Sequence, residues 1–198
     1  MIDILYEDRD IIVCIKPVGM DSEHELPQCL GNEIYTLHRL DKGVGGVMVY
    51  AKNKIAAADL SRQIQAGEMV KEYVAMVEGC PPETGDWEDL LFKDSRKNKV
   101  YVVDRKRAGV KFARLTYRCV TAGERSLVRV RLYTGRSHQI RVQFSSRGFP
   151  LVGDHKYSFR GEEKEIMLFS CQLSFMLRGK KQEFSALPLW AENFVKKV

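Results

Sequence analysis

Apolar residues in this chain come in short runs stopped by glycine or proline, and that pattern limits the fold more than any other feature. Ile11-Ile12-Val13-Cys14-Ile15 halts before Pro17 and Gly19, Val47 to Ala51 follows a glycine cluster, and Tyr73 to Val77 ends at Gly79-Cys80-Pro81-Pro82. Bounded runs of this kind read as buried strands, and Ile34 to His38 reads as another. One helix interrupts them. Asn53 is a candidate N-cap, Ala56, Leu60 and Ile64 recur at helical spacing, and Gly67 stands just past the end. No apolar stretch approaches the ~20 residues of a membrane span. The first residues bring in acids at once, without the basic-then-apolar order of a signal peptide.

The second half is mostly strand. Val100 to Val103, Phe112 to Tyr117 and Leu127 to Tyr133 are candidates, with Met167 to Met176 and Lys181 to Phe184 closing the sheet. In the third, Val128, Val130 and Leu132 fall on one side and Arg129 and Arg131 on the other, the alternation of a half-buried strand. Ser137 is read as the cap of a short helix from His138 to Ser146, and Phe149 to Asp154 as loop. The fold class is α+β, a mixed, largely antiparallel sheet with few flanking helices. At 198 residues the chain is expected to form a single catalytic domain over 1–198, as a monomer, large enough to need no staple. The five cysteines are odd in number and lack any Cys-x-x-Cys, which argues against a metal site or disulfide framework and for a cytoplasmic protein.

Charge is strongly uneven. Residues 1–92 carry a net −9, residues 93–147 a net +13 and residues 148–198 a net +2. A solvated face usually mixes both signs, so a one-sign block points to a polyanion, most often nucleic acid. Arg105-Lys106-Arg107 is its densest part, and Tyr101, Phe112, Tyr117 and Tyr133 are interleaved with it as candidates for stacking on unpaired bases. Charge alone leaves the plainer alternative open, a basic sheet edge whose aromatics face the core.

The densest chemical constellation is His38-Arg39-Leu40-Asp41-Lys42-Gly43-Val44-Gly45-Gly46. An isolated aspartate before glycines is usually a turn residue. No Gly-Lys-Ser/Thr follows, and the glycine spacing does not fit a dinucleotide loop.

The whole set of motifs resembles the RluA-type pseudouridine synthases, which isomerise uridine to pseudouridine in RNA. His38 to Lys52 is similar to the family's His-Arg-Leu-Asp signature. Lys71-Glu-Tyr73-Val-Ala-Met-Val-Glu-Gly79 resembles its Lys-x-Tyr strand, and Thr134-Gly-Arg136-Ser-His138-Gln-Ile-Arg141 its Thr-Gly-Arg segment. Gly148-Phe-Pro150-Leu-Val-Gly153-Asp154-His-Lys-Tyr157 resembles the last block, and Ile4 through Gly19 the opening one. The resemblance implies that Asp41 is the essential aspartate, Tyr73 the active-site tyrosine and Arg141 the arginine that pairs with the aspartate. It also implies an RNA substrate, with rRNA and tRNA both open, and no cofactor; no N-terminal accessory RNA-binding module is expected before the first strand. The reaction breaks the N1–C1′ bond, turns the base over and joins C5 to C1′. A carboxylate serves it as nucleophile or as base, and a tyrosine as stacking ring or proton acceptor. Arg39 is a candidate to fill the space left by a flipped base, sharing a strand face with Asp41, or else a salt-bridge partner. Arg136 and His138 are candidate phosphate contacts before the Arg141 helix.

Two departures stand out. Gly43-Val44-Gly45-Gly46 replaces the family's Asp-Thr-Ser-Gly, removing hydroxyls that could brace the aspartate's loop, and Leu168-Phe169-Ser170 stands where Leu-His-Ala is common. They support an alternative, a catalytically weak member that binds RNA and helps it fold. A nucleoside glycosidase would need a second carboxylate. Asp154 is the other candidate, and it reads better as a turn former.

Overall fold

The computed structural model describes residues 2–195, in two compact units. One comprises Met1–Glu72 and Phe169–Pro188, the other Tyr73–Leu168 and Leu189–Val198. The described residues form a mixed, mostly antiparallel sheet structure with four α-helices, and no helix among them is long and apolar enough to cross a membrane.

In the first unit, β1 (Asp3–Glu7) pairs antiparallel with β2 (Ile11–Lys16), and β2 with β4 (Gly45–Ala51). The two-residue β3 (Tyr35–Thr36) also lies on β4. The strand expected over residues 34–38 is therefore cut short, because residues 37–40 leave the ladder. Late in the chain, β10 (Leu168–Leu177) returns to pair in parallel with β4 through Phe169 to Gly45 and Ser170 to Gly46, and β11 (Lys180–Ser185) pairs with β10. Gly46 is required there: its φ is +130°, and a Cβ would stand 2.4 Å from the Ser170 carbonyl oxygen.

Two helices belong to this unit, α1 (Glu25–Leu30) and α2 (Lys54–Ala66). Asn53 caps α2 by accepting from the Ala56 N–H at 2.9 Å, and Gly67 ends it at a left-handed φ of 72°. Ala56 and Leu60 pack on Ile11, Val13, Val47, Val49, Leu173 and Phe175. The buried Gln63 amide takes the third position on that face, donating to the Met176 carbonyl and accepting from the Met176 N–H, each at 2.8 Å. The helix thus contacts the sheet with a polar group paired to the Met176 backbone and, within the helix, to the Asp59 carboxylate at 2.9 Å.

β5 (Val70–Glu78) leads into the second unit, where the strand order is β5, β9 (Arg125–Leu132), β8 (Val110–Thr121), β6 (Thr84–Asp94) and β7 (Lys99–Val103). Helix α3 (Gln139–Ser145) covers one face of this sheet. Its Val142 packs on Leu91, Val100 and Ala113, and its Phe144 ring lies 4.6 Å from Trp87 and 5.1 Å from Tyr117. Ser137 does not cap it. His138 occupies the cap position at a left-handed φ of 51°, and the Gln139 carboxamide oxygen accepts the Arg136 N–H at 3.0 Å. A short 3-10 turn (His155–Tyr157) and α4 (Leu189–Val195) complete the unit.

Candidate active site and RNA-contacting surface

Asp41 stands in the tight turn between β3 and β4, closed by the Val44 N–H on the Asp41 carbonyl at 2.9 Å. Residues on both sides of it are tied down from the segment after β2. The Ser22 hydroxyl donates to the Leu40 carbonyl at 3.0 Å and accepts the Leu40 N–H at 3.2 Å. The Lys42 carbonyl accepts from the Gly19 N–H at 2.8 Å and from Lys16 Nζ at 3.3 Å. Lys16 also donates to the carbonyls of Pro17 at 2.9 Å and Met20 at 2.8 Å, and its side chain is fully buried. Burial pushes its ammonium down to about 8, against the opposing pull of Asp21 and Asp41. The residues on either side of Asp41 are thus held by donors from earlier in the chain.

Arg39 lies in irregular chain, so the strand-face argument linking it to Asp41 does not hold. Its guanidinium pairs with Glu23 at 3.1 Å, and Lys42 pairs with Glu25 at 3.1 Å, both half-exposed ion pairs that contribute little to stability. His38 is half-buried and its Nε2 accepts the Val49 N–H at 3.3 Å. Burial, with the Lys71 charge second, pushes its imidazole down to about 3, so it stays neutral.

In the second unit, Tyr73 is buried in β5, and Arg141 is buried in α3. Arg141 grips Asp154 with two parallel hydrogen bonds, Nε to Oδ2 at 2.6 Å and Nη2 to Oδ1 at 2.8 Å. Asp154 does shape a turn, since its carbonyl accepts from Tyr157 and Phe159. Its carboxylate has the further task that sequence reading missed. The motif around Asp154 does not point to Arg141, because that partner lies on another element.

The Arg141 guanidinium also sits 5.1 Å from the Tyr157 ring centre. Tyr157 Oη accepts the Val100 N–H at 2.7 Å and lies 2.8 Å from His138 Nδ1. His138 therefore meets a core tyrosine, as a packing histidine would. Arg136 is exposed, and its Nε donates to the Phe112 carbonyl at 2.8 Å.

The basic block divides cleanly. Arg105, Lys106 and Arg107 lie exposed in the loop joining β7 to β8. In β9, Val128 and Val130 are buried while Arg129 and Arg131 are exposed, as the alternation requires. Tyr117 faces the core against Trp87, whereas Tyr101, Phe112 and Tyr133 are exposed.

The family model described as RNA pseudouridylate synthase matches residues 10–146. A Chloroflexus aurantiacus protein named "Uncharacterized RNA pseudouridine synthase" is 39% identical over 166 residues, covering 79% of this chain and 50% of that protein. "Ribosomal large subunit pseudouridine synthase D" of Pseudomonas aeruginosa is 34% identical over 176 residues, 80% of this chain and 54% of its own length. The chain thus spans about half the length of the curated relatives it matches. Among solved structures, "Human RNA Pseudouridylate Synthase Domain Containing 1" has the same fold, with a TM-score of 0.83 at 22% identity over 98% of this chain and 86% of that one. The matched span holds the Asp41 turn, the Tyr73 strand and the Arg141 helix in order, and with it the chain belongs to the RNA pseudouridylate synthase family.

Proposed function

We propose that this chain isomerises uridine to pseudouridine in a structured RNA, ribosomal or transfer, with Asp41, Tyr73 and Arg141 as the residues that carry the reaction. The observation behind this reading is the family match over residues 10–146, within which all three fall. Asp41 acts on the sugar or the base as nucleophile or base, Arg141 supports it, and Tyr73 receives the detached uracil. Residues 1–198 act as one catalytic domain, as a monomer in the cytoplasm, without metal or organic cofactor. Arg105, Lys106 and Arg107 contact phosphates, together with Arg39 and Arg136. His138 acts beside them by holding Tyr157.

The bonds from Ser22, Gly19 and Lys16 to the Leu40–Lys42 segment favour catalysis over an RNA-folding role alone, since they hold the backbone on both sides of Asp41. The test is Asp41→Asn, which keeps the shape and removes the charge. Isomerisation of cellular RNA by the purified variant is expected to vanish while RNA affinity stays within about threefold, a difference of under 1 kcal/mol in binding. Substantial turnover would remove Asp41 from the reaction. Mapping pseudouridines across total RNA with and without the protein identifies the target.

A further inference from the structure

The face of the β9-β8-β6-β7 sheet that α3 does not cover carries a distinctive set of side chains. The register places Tyr101, Phe112 and Tyr133 on that face, with Thr116 and Arg131 opposite each other and Arg114 beside Tyr133. The three rings are 37%, 45% and 44% exposed. Alternation accounts for the placement. Ala113, Leu115 and Tyr117 point to the α3 side, so Phe112 and Arg114 point away from it.

Guanidinium groups accompany these rings. Arg114 lies 4.8 Å and Arg131 5.3 Å from the Tyr133 ring centre, and Arg107 from the basic loop lies 4.6 Å from that of Phe92. Arg114 is fixed over Tyr133 by a fork to Asp86, Nε at 3.0 Å and Nη2 at 2.8 Å, with Glu88 at 3.6 Å. Phe112 and Tyr133 are diagonal neighbours on adjacent strands, about 7–8 Å apart at the backbone. An extended strand of nucleotides covers such a gap in one step.

We propose that this face is a stacking platform for a single-stranded segment of the RNA substrate, separate from the α3 side of the sheet where Arg141 lies. Charge selects the occupant. The platform's three rings and its arginines belong to the +13 block of residues 93–147, the acids Asp86 and Glu88 of β6 on the same face are engaged by Arg114, and an exposed basic loop borders it. Exposed rings beside arginines suit unpaired bases and their phosphates, because every base offers a π-face and every step an anion. The proposal rests on the chain acting on RNA, and it adds where the RNA flanking the target is held.

The test is anisotropy titration of the full chain with an oligoadenylate of about ten nucleotides, which has no uridine to isomerise. Phe112→Leu and Tyr133→Leu keep apolar bulk and remove the ring. Each is expected to weaken binding by about fivefold or more, with the salt slope unchanged because no charge is lost. The double variant binding as tightly as the parent would overturn the proposal. So would intact RNA binding with altered sedimentation, which would assign the face to a second copy of the chain. If the variants unfold, photocrosslinking of an azidoadenine oligomer to the unaltered protein decides: adducts in β7–β9 support the platform, and adducts confined elsewhere refute it. Asp41→Asn read beside these separates the two ideas, since it is expected to leave oligoadenylate binding intact and abolish isomerisation.

Discussion

Ser22 holds Leu40 by both backbone groups, donating to its carbonyl at 3.0 Å and accepting its N–H at 3.2 Å, so the residue before Asp41 is fixed by a side chain from a different loop. Ser22→Ala leaves both groups without that partner. The expected loss is about 1–3 kcal/mol in unfolding free energy. Turnover should fall more than KM for RNA changes, because the bond positions the turn rather than the substrate. Denaturant titration and steady-state kinetics on one preparation check both, and an unchanged kcat would separate the brace from the reaction.

Asp154→Asn should cost about 3–5 kcal/mol of stability, the usual result of removing one partner from a buried ion pair. The Arg141 and Asp154 side chains are 7% and 1% exposed, so water cannot replace the lost carboxylate. Arg141→Lys should not restore the parent, since an ammonium cannot make the two parallel bonds. Thermal unfolding of the variants measures this, and a shift within error of zero would contradict the assignment.

His38 predicts an acid-side loss. Its folded value of about 3 lies below the ordinary 6.5, so between those limits the unfolded chain binds the extra proton. The stabilisation is complete above pH 6.5 and drains away as pH falls toward 3, by at most about 1.4 kcal/mol per pH unit. His38→Gln offers Val49 an acceptor without titrating. The difference between parent and variant stability should therefore slope with pH in that window, and parallel curves would refute the reading.

Salt should weaken RNA binding steeply. With about five phosphate contacts to single-stranded RNA, the log–log slope is about −3.5. Charge reversal at Arg105, Lys106 or Arg107 should lower affinity for every RNA alike and flatten that slope, because phosphate contacts carry no sequence information. A flat titration with the parent would show that the block faces another partner.

Tyr73→Phe distinguishes a ring that stacks from a hydroxyl that moves a proton. If the hydroxyl takes the C5 proton, the variant should stall after the base is reattached. A fall in turnover of less than about tenfold, or ~1.4 kcal/mol in the barrier, would leave the ring with stacking alone. Single-turnover assays with C5-deuterated uridine discriminate the two.

What could be read from the sequence followed local rules. Asn53 and Gly67 bound α2 because a cap and a left-handed terminus are set by neighbouring backbone. β9 was legible because its valines and arginines alternate without exception. β6 was not, because its inner face includes Asp89, which pairs with Arg147 at 2.9 Å and takes the Gln143 amide at 2.6 Å, while Leu90 and Phe92 lie on the outer face. That mixture erases the period-two signal. The turn at Asp41 was legible through its glycines, yet Lys16 and Ser22, which hold the residues beside it, carry no pattern that links them to it. The Ser137 cap failed for a similar reason: the Gln139 side chain and a left-handed His138 take over the terminus.

The parallel pairing of β4 with β10 has a consequence for biosynthesis. On a ribosome, β2 and β4 emerge before β10, so the strand that pairs with Gly45 and Gly46 of β4 is not made until Phe169 and Ser170 leave the exit tunnel. Until then, Gly45 and Gly46 present open backbone with no side chain to shield it, an edge able to capture strands from neighbouring nascent chains. Translation pauses or premature stops between the two strands should therefore yield aggregates rather than soluble fragments, and the segment Phe169–Pro188 acts as the latch that ends this vulnerable interval.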